Sequence, residues 1–231
     1  MTDFSALSAK DLAPYIQHTL IAVGTTREAT VAHAQEAIGH GFDAAMVAGS
    51  CVALTAEVLR GTGITVASAL DFPTVGVMTS AGKAAEAAEL VRLGAAEIDM
   101  GVQIGWLKDG DFDAFREDIA GVVRAAGVPI KVMLELPLLT AAEKEAAVEL
   151  SCEAGAAYLK NASSGQVEIA NPESIRYLVE RAPEGVLVKA SGGIKSRAQV
   201  VSLLQAGAAK VGTSAGIAIV TDTSDAATQS Y

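Results

Sequence analysis

Lysine is out of place inside an apolar strand, because a buried ammonium loses its hydration. Of the nine lysines in this chain, Lys131, Lys160, Lys189 and Lys210 fall in or beside short apolar runs. Taken singly, each is equally well read as a lysine reaching from a strand end to water. Lys160 and Lys189 together point to more, since they close two successive runs. Neighbouring strands lie about 4.8 Å apart, so two such amines converge. Mutual repulsion and desolvation then lower an amine pKa from about 10.4 towards neutrality. An uncharged lysine is a nucleophile, and with a carbonyl it forms a Schiff base. Asp99 lies in a third run and either steadies the protonated amine or shuttles protons.

The elements that position these residues recur along the chain. Ala-rich, helix-period segments end at Gly, and a short apolar run follows. Leu93-Gly-Ala-Ala-Glu-Ile-Asp-Met100, Ala154-Gly-Ala-Ala-Tyr-Leu-Lys160 and Ala206-Gly-Ala-Ala-Lys-Val-Gly212 are near copies. Gly suits the position just past a helix, where the backbone turns left-handed. Eight strand-like runs are predicted, at 15–21, 42–48, 64–70, 97–102, 130–136, 157–162, 186–191 and 210–214. Helices are predicted at 26–39, 51–60, 79–93, 110–126, 140–154, 172–182 and 196–206, with starts signalled by Thr140/Glu143 and Asn171-Pro172. Strict alternation implies parallel strands with right-handed crossovers. Eight units in 231 residues suit a single-domain (β/α)8 TIM barrel over residues 1–220, with an open doubly wound sheet as the alternative. The polar segment 221–231 is expected to be a flexible C-terminal tail.

Barrel chemistry sits at the carboxyl ends of the strands. Run 5 carries Lys131 and Glu135, four apart and so expected on one strand face. Ser191-Gly192-Gly193 and Gly212-Thr213-Ser214 follow runs 7 and 8, where barrels often hold a phosphate; ordinary tight turns are the competing reading. Neither segment is a P-loop or a dinucleotide fingerprint, so no cofactor is expected.

Composition narrows the classes. The net charge is −10, aromatic residues make up 4% and no basic cluster occurs, which argues against nucleic acid and anionic membranes as partners. Apolar residues at 51% rule out disorder. There is no apolar run long enough to span a membrane, and with neither a basic region nor an apolar run in its first residues the chain is not expected to carry a secretory signal. Cys51 and Cys152 form no disulfide framework, which fits a cytoplasmic setting. No metal is expected: His33 and His40 are assigned to the surface of a helix, and His18 alone is placed to reach the barrel mouth.

At these residues the sequence resembles the deoxyribose-phosphate aldolases, class I enzymes on the (β/α)8 barrel. The resemblance runs in order over about 200 residues. It includes His18-Thr19-Leu20, Phe72-Pro73, Glu97-Ile98-Asp99-Met100, Lys131-Val132, Leu159-Lys160, Val188-Lys189-Ala190-Ser191-Gly192-Gly193-Ile194 and Gly212-Thr213-Ser214-Ala215-Gly216. It implies that Lys160 forms the Schiff base with acetaldehyde, that Lys189 lowers its pKa and that Asp99 assists proton transfer. Gly192, Gly193, Gly212 and Ser214 would hold the substrate phosphate. The implied reaction is reversible cleavage of 2-deoxyribose 5-phosphate to acetaldehyde and glyceraldehyde 3-phosphate. Some members end in a tyrosine that helps proton transfer, and Tyr231 is last here.

The departures lie at strand ends. Gln17 stands where the family usually has Asp, and segments 45–49 and 161–165 and the loop after Phe72-Pro73 are altered. They leave open a related Schiff-base aldolase or lyase acting on another small aldehyde or sugar phosphate, or a weakly catalytic sugar-phosphate-binding barrel. A homodimer is a possible assembly for a barrel of this size.

Overall fold

A computed structural model describes residues 3–223. Eight strands form a closed, all-parallel barrel in chain order: β1 (Ile16–Leu20), β2 (Ala44–Val47), β3 (Thr65–Leu70), β4 (Glu97–Gly101), β5 (Ile130–Met133), β6 (Tyr158–Lys160), β7 (Leu187–Ser191) and β8 (Lys210–Thr213). Each lies within the run predicted for it. The helices are α1 (Arg27–His40), α2 (Val52–Leu59), α3 (Ser80–Arg92), α4 (Ile104–Asp109), α5 (Phe112–Ala126), α6 (Ala141–Glu153), α7 (Pro172–Arg181), α8 (Arg197–Gln205) and α9 (Gly216–Val220). The short α4 and α9 were not predicted, since six and five residues are too few to show a helical period. The molecule is a single-domain (β/α)8 TIM barrel, not an open sheet. Of the segment assigned to a tail, residues 224–231, Tyr231 included, lie outside the described residues.

The repeated Gly-Ala-Ala segments do two jobs. Gly94, Gly155 and Gly207 take φ values of +112°, +91° and +104°, which a side chain would resist. The next N–H then closes the helix on a carbonyl five residues back, in the pairs Ala95–Leu90, Ala156–Ser151 and Ala208–Leu203. One residue further on, Ala96, Ala157 and Ala209 donate to Val66, Ile130 and Val188 of the preceding strand. A single local signal thus stops the helix and starts the next strand in register. Helix starts are capped as expected: Thr140 and Glu143 form a capping box, and Asn171 caps α7 with Pro172 behind it.

The main apolar core lies between strands and helices and includes Ile98, Phe115, Ile119, Val132 and Leu159. The barrel interior differs. Ala44, Met46 and Ala67 make a small apolar cluster on the β2–β3 side, whereas Gln17, Asp99, Lys131 and Lys189 are buried, charged or polar, on the other. TIM barrels usually fill this space with branched apolar side chains.

Two expectations are corrected. Glu135 does not share a strand face with Lys131, because β5 ends at Met133 and Glu135 adopts φ +53°. Its Oε1 instead accepts from the Ser163 N–H at 2.7 Å, tying the loop after β5 to the loop after β6. His33 is not on the surface. It lies on the face of α1 that carries Ala34 and Ala37 into the core, and its ring stacks on His18 at 4.3 Å. His18 in turn does not reach the mouth: strand alternation sends Gln17 into the barrel and His18 outwards, where Nε2–H donates to Glu36.

Candidate active site

The inward residues of β4 to β7 assemble one charged cluster. Parallel register sets Lys160 beside Lys189 and Asp99 beside Lys131. Asp99 Oδ2 accepts from Lys160 Nζ at 2.8 Å and from Lys189 Nζ at 2.7 Å. Lys131 Nζ lies 2.7 Å from Glu97 Oε2 and 3.3 Å from Asp99 Oδ1. Three lysines therefore face two carboxylates, with one cation in excess.

Burial alone would raise the Asp99 carboxyl, but the ammonium groups of Lys160, Lys189 and Lys131 outweigh it and hold Asp99 far below the usual carboxylate range. Glu97 is likewise lowered: Lys131 and the Gln17 amide overcome its burial. Burial pushes Lys189 down to about 7, with Lys160 and Lys131 reinforcing it against the pull of Asp99. A buried cluster in which one carboxylate is shared by three amines is fragile. Asp99→Asn is expected to lower unfolding stability by about 3–5 kcal/mol, because three amines lose their shared counter-ion. An unchanged denaturation midpoint would contradict this charge balance.

The cluster forms the floor of a cavity of about 180 Å³ at the carboxyl ends of the strands. Lys160, Lys189, Gly192, Gly193, Gly212 and Ser214 all line it; Asp99 lies beneath. Lys160 is 5% exposed and Lys189 1%, so Lys160 presents the more open amine. The altered segments 45–49 and 161–165 touch the cavity, through Met46 and through Ser163, Ser164 and Gly165.

Close packing explains several small residues. A Cβ on Gly192 would run into the Glu168 carbonyl oxygen, at φ +117°. A Cβ on Gly212 would lie 3.0 Å from Lys189 Cε, so this glycine makes room for the lysine as well as lining the cavity. Asn161 straps the loops after β6 and β7: Nδ2 donates to the Ser191 carbonyl at 3.0 Å and Oδ1 accepts from the Ser191 N–H at 2.9 Å.

Sequence reading gave several contributors no role in the site. Lys195 adds a cation at the Gly192-Gly193 rim, and Thr19 and Phe72 complete the walls. The loop carrying Phe72 is anchored by Asp71, whose carboxylate accepts from the N–H groups of Gly76, Val77 and Met78. Asp71 is paired with the buried Lys83 on α3 at 3.1 Å, and Lys83 also binds Asp118 at 2.8 Å. A lysine in an Ala-rich helix carries no signal of this burial.

His18, His33 and Glu36 bring donor atoms within 4.8 Å of one another. The histidine rings are engaged in packing and hydrogen bonding within this group. The two rings are stacked 28° from parallel, so their lone pairs run side by side rather than converging on one point. His33 Nε2–H is already given to the His18 carbonyl at 3.1 Å.

No family model matches the chain. Individual relatives do. The chain is 39% identical over 221 residues to the deoxyribose-phosphate aldolase of Methanothermobacter thermautotrophicus, covering 95% of this chain and 98% of that protein. It is 40% identical over 208 residues to that of Brevibacillus brevis, covering 90% and 94%. The chain belongs to the deoxyribose-phosphate aldolase family. Among solved structures, the deoxyribose-phosphate aldolase of Aeropyrum pernix, described as tetrameric, superposes with a TM-score of 0.85 at 29% identity, covering 94% of this chain and 92% of that one. An aldolase called QR15 superposes with a TM-score of 0.86 at 28% identity, covering 92% and 96%. Family members are aldehyde-lyases, and the amine cluster of this chain is an arrangement suited to such carbon–carbon chemistry.

Proposed function

We propose that the protein cleaves 2-deoxyribose 5-phosphate reversibly to acetaldehyde and glyceraldehyde 3-phosphate through a Schiff base on Lys160. The observation that carries this is the sharing of Asp99 Oδ2 by two amines on the floor of a cavity, one of them more open than the other. With one cation in excess, Lys189, held at about 7, gives up a proton near neutral pH and so can take one from Lys160. Lys160 then attacks the donor carbonyl, water leaves, and a protonated imine forms.

The iminium acidifies the adjacent carbon. Loss of that proton gives an enamine, which adds to the acceptor aldehyde; hydrolysis frees the product. In cleavage the order is reversed. Lys189, held at about 7, is matched to accept and return protons at neutral pH. Asp99 is too weak a base for that task; its carboxylate steadies whichever amine is protonated. The iminium supplies the electrophilic activation.

Gly192, Gly193, Gly212 and Ser214 are assigned to the phosphate, joined by Lys195. Ser214 is exposed at the rim. Ser214→Asp places a like charge there. It is expected to raise KM for 2-deoxyribose 5-phosphate by about 10-fold or more, corresponding to roughly 1.4 kcal/mol, with little effect on unphosphorylated 2-deoxyribose. Equal effects on both substrates would remove the phosphate assignment.

The test of the whole reading is a coupled cleavage assay across a panel of phosphorylated aldehydes and sugars, run beside borohydride trapping with acetaldehyde. Turnover of 2-deoxyribose 5-phosphate and a reduced adduct on Lys160 are expected. Binding without turnover would favour a sugar-phosphate-binding barrel instead. A cytoplasmic setting, consistent with the free Cys51 and Cys152, and a homodimer belong to the same proposal. Light scattering checks the latter, and a monomer mass would remove it. Among the described residues no helix is long and apolar enough to cross a membrane.

A further inference from the structure

Gln17 is fully buried on β1 and lies between charges of both signs. Its Oε1 accepts from Lys189 Nζ at 2.7 Å. Its Nε2 donates to Glu97 Oε2 at 2.7 Å and to Asp43 Oδ2 at 3.0 Å. An ionised carboxylate can only accept. The two carboxylates therefore fix the amide's orientation, with the NH2 group towards them and the oxygen towards Lys189.

A carboxylate at this position could not make the same contacts. It would meet Asp43 and Glu97 as a like charge, and it would give Lys189 a second counter-ion beside Asp99. We propose that Gln17 is a positioning residue whose neutral amide holds the Lys189 amine in place without supplying a counter-ion, so that the cluster of Lys131, Lys160 and Lys189 keeps its excess cation. This rests on the Schiff-base reading above.

The groups around Lys189 support the charge balance. Asp99 faces it from β4, Lys160 from β6 and Lys131 from β5, with Glu97 acting at longer range. From β8, Gly212 packs on its side chain, and Lys210, opposite it in register, is occupied with Asp43. Asp43 is thus matched by Lys210, and the excess cation belongs to the cluster of Lys131, Lys160 and Lys189. One added carboxylate would cancel it.

The experiment compares Gln17→Glu, which keeps length and adds charge, with Gln17→Met, which keeps length and adds none. Two pH profiles are read: kcat/KM for 2-deoxyribose 5-phosphate cleavage, and borohydride trapping of acetaldehyde on Lys160. For Gln17→Glu both acid limbs should move up by about 1–2 pH units, the usual effect of an opposite charge within ~4–6 Å. For Gln17→Met the limb should not move up, while kcat falls and KM changes little. Gln17→Asp, a shorter carboxylate set further from Asp43 and Glu97, carries the same prediction if Gln17→Glu does not fold, as judged by circular dichroism.

A folded Glu or Asp variant with an unmoved limb would overturn the proposal. So would an upward shift in Gln17→Met equal to that of Gln17→Glu, since packing would then be the cause. If neither acidic variant folds, the amide is a requirement of folding and the proposal also fails. Absence of a Lys160 adduct in the unaltered protein would instead sink the Schiff-base reading, which keeps the two failures apart.

Discussion

Lys160→Ala is expected to abolish turnover, by a factor on the order of 10⁴ or more, while the barrel stays folded. The size of the effect follows from the proposed role: removing a covalent nucleophile would close the route rather than slow one step. Folding should survive for two reasons. The side chain ends at the cavity, so truncation enlarges a space already open at the strand ends instead of creating a sealed void. The charge count also improves. Without Lys160, Lys131 and Lys189 face Asp99 and Glu97, and the excess cation is gone. The measurement pairs the cleavage assay with borohydride trapping and peptide mass. Near-normal turnover, or an adduct on another lysine, would reassign the nucleophile.

Lys189→Met should impair catalysis and strengthen the fold at once. Burial pushes this amine down to about 7 in the folded protein, against about 10.4 in an unfolded chain. Between those values the unfolded state holds a proton that the folded state lacks. Stability therefore falls as pH drops from about 10 to 7, and the full penalty remains below pH 7. That penalty is several kcal/mol at neutral pH. Methionine keeps the length and carries no charge, so the melting temperature at pH 7 should rise, and the gain should vanish above about pH 10.

Catalysis moves the other way. With Lys189 gone, two lysines face two carboxylates and the excess cation is removed. The acid limb of the cleavage profile should climb by about 2 pH units, and the rate should fall even on its plateau. A functional site that costs stability is the usual trade. An unmoved limb would count against the paired amines, and an unmoved melting curve against the burial argument.

The fold, and which residues to propose for the candidate site, were legible in the sequence because their signals are local. Three Gly-Ala-Ala segments each end a helix through a bond only five positions long, and the strand begins within the next three residues. Thr140 with Glu143, and Asn171 with Pro172, cap helices by the same short-range logic. Lys160 and Lys189 stand out because a charge in an apolar run is costly wherever the run is placed.

What the tertiary structure decided depends on which face of each strand turns inwards and on what meets it there. That is how Gln17 comes to bridge Lys189, Glu97 and Asp43, partners 172, 80 and 26 residues away. The same geometry buries His33 against His18, turns Glu135 off its strand, and hides Lys83 between Asp71 and Asp118. It also sets Lys160 more open to the cavity than Lys189. Composition and spacing determined that amines would gather at strand ends in a barrel. Closure of the barrel decided how many carboxylates they share, and so which protons they can lose.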